Sequence, residues 1–98
     1  MNRLTETQIQ EILQKDLPDW KYENNKIKRN LTFKDFKQAF SFMTLCALKC
    51  EQMDHHPEWF NVYNKLNIEL NTHSIGGVSE LDIELAKFIE EQYKRFYV

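Results

Sequence analysis

Glu51-Gln52-Met53-Asp54-His55-His56-Pro57-Glu58-Trp59 separates a segment that must be helix from one that reads as sheet. Pro57 cannot continue a helix, and it pushes His56 toward extended backbone. The long apolar segment upstream therefore has to stop here. Neighbouring side chains in extended backbone point to opposite sides, so His55 and His56 are expected to diverge, one into a pocket and one away from it. A carboxylate, two imidazoles and an indole at a forced helix exit suggest proton-transfer chemistry.

Upstream, Thr32 followed by Asp35 resembles a capping box that opens a helix of about five turns up to Asp54. Phe33, Phe36, Phe40, Met43, Ala47 and Cys50 recur at spacings of three and four, and Ala39, Phe42, Cys46 and Met53 form a second stripe beside them. Only Lys37, Gln38, Ser41 and Gln52 make a polar strip. A helix resting on one sheet needs an apolar face of roughly 100°, and this helix offers more. The outer side of the 33–53 helix is therefore expected to bury against another subunit, in a homodimer or homotetramer. The alternative, a core helix covered on both sides by its own chain, needs more material than 98 residues readily supply.

Before this helix, Trp20-Lys-Tyr22 and Ile27, Arg29, Leu31, Phe33 alternate with a period of two around Asn24-Asn25, which tolerates positive φ; this predicts a β-hairpin with Lys26, Lys28 and Asn30 on a solvated face. Thr5 and Gln8 form a capping box and Leu4 with Ile9 a hydrophobic staple for a short peripheral helix that ends before Pro18. After the corner, Trp59–Tyr63 and Lys65–Asn71 read as one long or two shorter strands. Thr72-His73 closes the strand, and Ser74–Val78 is a glycine loop that lets backbone approach a ligand. Ser79-x-x-Asp82 caps a final amphipathic helix, with Asp82 on the same face as Ala86, Ile89 and Tyr93. The order predicts an α+β, two-layer fold: an antiparallel four-stranded sheet, two main helices on one face and a short N-terminal helix at an end.

A chain of 98 residues with 42% hydrophobic and 13% aromatic content predicts one packed domain over residues 1–98. A net charge of −2 without a basic run argues against a nucleic-acid partner. No stretch has signal-peptide or membrane-span character, and Cys46 and Cys50, four apart on a helix, suit buried thiols better than a disulfide. The expectation is a soluble, cytoplasmic protein with no membrane association.

Imidazole titrates near pH ~6.5 and so exchanges protons at neutral pH. His55 lies beside Asp54 at the negative end of a helix, which suits a general acid, and His73 stands on a separate element. Zinc is the rival, since Glu51, Asp54, His55, His56 and His73 hold enough ligand atoms. Adjacent histidines seldom converge on one ion, however, and no HExxH or paired CxxC is present; no metal is expected. There is no GxSxG elbow, no phosphate loop and no exposed electropositive cysteine. Trp59 and Phe60 read first as core residues, although an aromatic beside the histidines could wall a flat heterocycle.

Glu51-x-x-Asp54-His55-His56-Pro57-Glu58-Trp59, Asn61-Val62-Tyr63-Asn64-Lys65 and Thr72-His73 together resemble the pterin-4a-carbinolamine dehydratase family. Phe33-Lys-Asp-Phe36, Phe40-x-Phe42-Met43 and Gly76-Gly77-x-Ser79-x-x-Asp82-x-x-Leu85-Ala86 fit it in the same order, from Trp20 onward. The resemblance implies dehydration of 4a-hydroxytetrahydrobiopterin to quinonoid dihydropterin, as in tetrahydrobiopterin recycling, with no metal or organic cofactor. It implies catalytic roles for His55, His56 and His73 and pterin contacts from Asp54–His56 and Asn71, Thr72, His73 and Ser74. Glu51, Pro57, Trp59 and Asp82 are the supporting residues. Asn71 and Ser74-Ile75 depart from the usual family residues. The resemblance also implies tetramers paired through the long helices. Its other implication is a protein partner: some relatives are dimerisation cofactors of a transcription factor, which would add a nuclear location.

Overall fold

A computed structural model of the protein describes residues 2–97. The elements run α1 (Glu6–Asp16), β1 (Lys21–Glu23), β2 (Lys26–Thr32), α2 (Phe36–Met53), β3 (Glu58–Val62), β4 (Lys65–Leu70), a 3-10 turn (His73–Ile75) and α3 (Glu80–Phe96). The sheet is antiparallel throughout, in the order β1-β2-β4-β3. This is the expected α+β architecture.

Register follows from alternation. Ile27 pairs with Leu70, Arg29 with Ile68 and Leu31 with Leu66, so one face of the two central strands is apolar except for a single arginine. Ala39, Phe42, Cys46 and Cys50 of α2 and Ile83, Leu85, Ala86 and Ile89 of α3 are buried against that face. Arg29 is accommodated there because Glu90 of α3 meets it twice, Nε donating to Oε1 at 2.9 Å and Nη2 to Oε2 at 3.0 Å, while Trp20 Nε1 donates to Glu90 Oε1 at 2.8 Å. A buried charge of this kind is tolerable only when paired and hydrogen-bonded.

The opposite face of the sheet carries ions. Glu58 and Glu69 sit directly across from one another, a placement that repels on its own. Lys26 bridges them, at 3.0 Å and 3.3 Å. Lys26 and Lys28, expected to be solvated, are three-quarters covered, and Lys28 pairs with Glu23 at 3.0 Å.

Two expectations need correction. Asp35, not Thr32, caps α2, its carboxylate accepting from Gln38 N at 2.9 Å; Thr32 and Phe33 belong to the strand and its exit, where Phe33 N donates to Asn64 O. The α1 helix is more than a peripheral cover, since Ile9, Leu13 and Leu17 are fully buried. Of the two readings left open for the stretch after the corner, the structure takes two shorter strands with a tight turn, in which Tyr63 takes φ 50° and the Asn61 side chain donates to the carbonyls of Tyr63 and Lys65. The first hairpin turns as expected, Asn24 and Asn25 both having positive φ.

On α2 the inner stripe is buried, whereas Phe36, Phe40 and Leu48 stand exposed on its outer side. Among the described residues no helix is long and apolar enough to cross a membrane.

Candidate active site

The α2 helix ends one step earlier than proline alone would require. Asp54 takes the left-handed conformation (φ 52°, ψ 45°), and its N–H and that of His55 return to the last carbonyls of the helix. This C-terminal cap needs a residue that tolerates positive φ, a role aspartate fills better than most. Pro57 then keeps the chain extended into β3. His55 is buried and His56 lies at the surface, yet both line one cleft, which corrects the expectation that one of them turns away from the pocket.

Buried His55 meets buried Asp82. Its Nε2 lies 2.5 Å from Asp82 Oδ1. The other carboxylate oxygen accepts from Ser79 N–H at 2.9 Å and from Thr72 Oγ1 at 2.8 Å. Asp82 therefore does two jobs at once. It completes the Ser79 capping box of α3, where the helix dipole favours its charge, and it accepts a hydrogen bond from the Nε2–H of His55, leaving Nδ1 as the ring nitrogen that can exchange a proton. A carboxylate on one imidazole nitrogen fixes the tautomer and the ring orientation.

His56 Nε2 lies 2.6 Å from Glu51 Oε2, one helical turn back on α2. His73 belongs to the 3-10 turn, with its side chain 80% exposed and Nε2 3.7 Å from Glu58 Oε1. The hydrogen bond from Lys26 holds the Glu58 carboxyl below the usual carboxylate range, with a smaller contribution from His73.

An open cleft of about 500 Å³ runs between the two elements, lined by Asp54, His55, His56, Pro57, Glu58, Asn71, Thr72, His73, Ser74 and Leu81. Its size suits a small heterocyclic ligand. Every residue expected to contact substrate lines it. Glu51 and Asp82 stand behind it, each holding a histidine. Trp59 does not line it: the indole is half-buried against the core on β3, opposite Ile68, which agrees with its core reading and not with an aromatic wall, whereas Phe60 is exposed and is not core. Gly76 and Gly77 do not line it either, which corrects the expectation that this loop admits a ligand to the backbone.

Two cleft residues escaped the sequence reading. Glu58 stands in the corner motif with no role assigned to it, although a carboxylate next to the proline is a cue. Leu81 carries no sequence signal beyond its place in the first turn of α3. Among the described residues, no three His, Cys, Asp or Glu side chains form a group able to hold a metal ion. Cys46 and Cys50 are unpaired, and burial pushes their thiols up to about 12 and about 11.

The fold and cleft define a small two-layer α+β protein in which carboxylate-held histidines surround an open site, a class suited to proton transfer. The family model for pterin 4 alpha carbinolamine dehydratase matches residues 2–92. A protein of Synechococcus sp. (strain WH7803), assigned as a pterin-4-alpha-carbinolamine dehydratase, is 54% identical over 80 residues, which cover 82% of this chain and 86% of the relative. One from Burkholderia orbicola (strain MC0-3), assigned likewise, is 53% identical over 77 residues, 76% of each chain. The crystal structure of a transcriptional coactivator/pterin dehydratase from Brucella melitensis superposes with a TM-score of 0.88 at 46% identity, over 92% of this chain and 97% of that one. The chain belongs to the pterin-4a-carbinolamine dehydratase family.

Proposed function

We propose that this protein is a hydro-lyase that converts 4a-hydroxytetrahydrobiopterin to quinonoid dihydropterin and water, serving tetrahydrobiopterin recycling, with residues 1–98 working as one domain. The observation that carries this reading is the convergence of His55, His56 and His73 on one cleft from two separate elements, with Asp82 behind His55. Elimination breaks the C4a–O bond, and the leaving oxygen departs with the electron pair and takes up a proton as water. The N5–H bond gives its electrons to a new C4a=N5 double bond and its proton to a base. Two imidazoles in different protonation states supply both transfers near neutral pH. His55 and His73 form this acid–base pair across the ring, and His56, steadied by Glu51, positions the substrate. Asp54, Asn71, Thr72 and Ser74 line the ring's edge.

The test is dehydration of synthetic carbinolamine by the purified protein, repeated with His55→Ala and His73→Ala. Each variant is expected to lose about 10²-fold or more in kcat. A loss under tenfold in both would remove these two roles, and abolition of activity by a chelator would overturn the metal-free reading.

The exposed Phe36, Phe40 and Leu48 support self-association through α2, as a homodimer or homotetramer. The two unpaired cysteines fit a cytoplasmic location. A second reading uses the same apolar face to grip a partner helix, with a dimerisation-cofactor role and a nuclear location; its support is the similarity to the Brucella transcriptional coactivator/pterin dehydratase. A pull-down that yields no partner beside a robust homo-oligomer counts against it.

A further inference from the structure

The adjacent glycines of the Ser74–Val78 loop serve different purposes. Gly76 takes φ 64° with open space around it, so its backbone conformation is what excludes a side chain. Gly77 shows no positive φ but has no room: a Cβ there would lie 2.6 Å from Arg3 Nε, 3.0 Å from Cδ and 3.1 Å from Cγ. The stem of Arg3 lies across the Gly77 backbone, and its Nη2 donates to Asn25 Oδ1 at 3.0 Å on the tip of the first hairpin. Leu4 N–H donates to Val78 O at 2.8 Å, tying the same N-terminal segment to the next residue of the loop.

Gly77 closes the loop that carries the third histidine. Thr72 N–H donates to Gly77 O at 2.7 Å, pinching off the turn that contains His73 and Ser74. Thr72 also gives its hydroxyl to Asp82, the partner of His55. Whatever holds the Thr72–Gly77 bridge therefore sets His73 and Ser74 directly and the carboxylate behind His55 at one remove. We propose that Arg3 is a positioning residue for the cleft, covering Gly77 and holding closed the Thr72–Gly77 loop. The proposal rests on the reading of the cleft as the dehydration site.

Amide exchange at Thr72 and kcat and KM for dehydration, measured on Arg3→Ala, Gly77→Ala, the double variant and Arg3→Lys, test it. The methyl group added by Gly77→Ala displaces the flexible arginine, so this variant and Arg3→Ala are expected to have the same effect. Each speeds exchange at Thr72 by about tenfold and lowers kcat/KM by about tenfold to a hundredfold, with α2 core protection unchanged. The double variant is no worse than either single, because both remove one interaction. Arg3→Lys restores part of the activity, since its aliphatic stem still covers Gly77. Unchanged exchange in Arg3→Ala, or a double loss equal to the product of the single losses, overturns the proposal. Faster exchange with unchanged kcat/KM also overturns it, by reducing Arg3 to a structural contact. A wild-type protein inactive on carbinolamine would sink the proposed function instead, and the exchange arm would still decide whether Arg3 clamps the loop.

Discussion

His55 and Asp82, 27 residues apart in the chain, meet at 2.5 Å in the interior, where a helix end and a helix start face each other. Asp82→Asn keeps an oxygen for Ser79 N–H but turns an amide NH2 toward His55 Nε2, which then has to accept rather than donate. The wrong tautomer results, as in triad enzymes whose carboxylate is amidated. We expect kcat to fall by about a hundredfold with little loss of stability. Asp82→Ala, which strands the Ser79 and Thr72 donors, is expected to destabilise by about 3 kcal/mol. Steady-state kinetics and urea unfolding separate the two effects.

His56 and Glu51 form an exposed pair at 2.6 Å beside the cleft. Because this pair positions substrate, Glu51→Gln and His56→Ala should raise KM by more than they lower kcat. Initial-rate measurements over a range of carbinolamine concentrations check this; a pure kcat loss would place His56 in the chemistry.

The Glu90 carboxyl joins α3 to the sheet through Arg29 and Trp20. Burial pulls it upward, but the Arg29 and Trp20 hydrogen bonds outweigh that and leave it below its ordinary value. A group depressed in the folded state contributes stability that is fully present above its unfolded value and is lost as pH falls through the folded one. Glu90→Gln is thus expected to cost about 3 kcal/mol at neutral pH, by stranding Arg29. The gap to wild type should narrow in acid. Urea midpoints measured from pH 7 downward test both points.

Phe40 is half exposed at the centre of the outer stripe of α2. Phe40→Glu should leave the monomer fold intact and lower the mass seen by light scattering, because a carboxylate is costly in an apolar interface. A wild-type protein that is already monomeric at micromolar concentration would remove the self-association reading.

The thiols of Cys46 and Cys50, pushed up to about 12 and about 11 by burial, should resist a maleimide in the native protein and react in denaturant, since the thiolate is the nucleophile. Mass spectrometry before and after unfolding reads this directly.

Most of the fold was legible because its signals are local. Ile27, Leu31, Leu66, Ile68 and Leu70 alternate cleanly, and both glycine- and proline-marked boundaries fell near the observed ones. The cap of α2 was misplaced by three residues because Thr32 and Asp35 both carry a capping oxygen, and only the pairing of Thr32 with Lys65 decides that it is strand. Sequence leaves Trp59 between core and cleft wall, because nearness to His56 says nothing about which face of β3 the indole takes until the Ile68 register is known.

Sequence alone carried the element order, the two-layer class and the identity of the three imidazoles, because residue type, periodicity and spacing are properties of the chain. Tertiary structure assigned the partners: Asp82 to His55, Glu51 to His56, Glu58 to His73, Glu90 to Arg29 and Arg3 to Gly77. All but the Glu51–His56 pair join separate segments of the chain, and their meeting depends on how helices and strands dock, which no local pattern encodes.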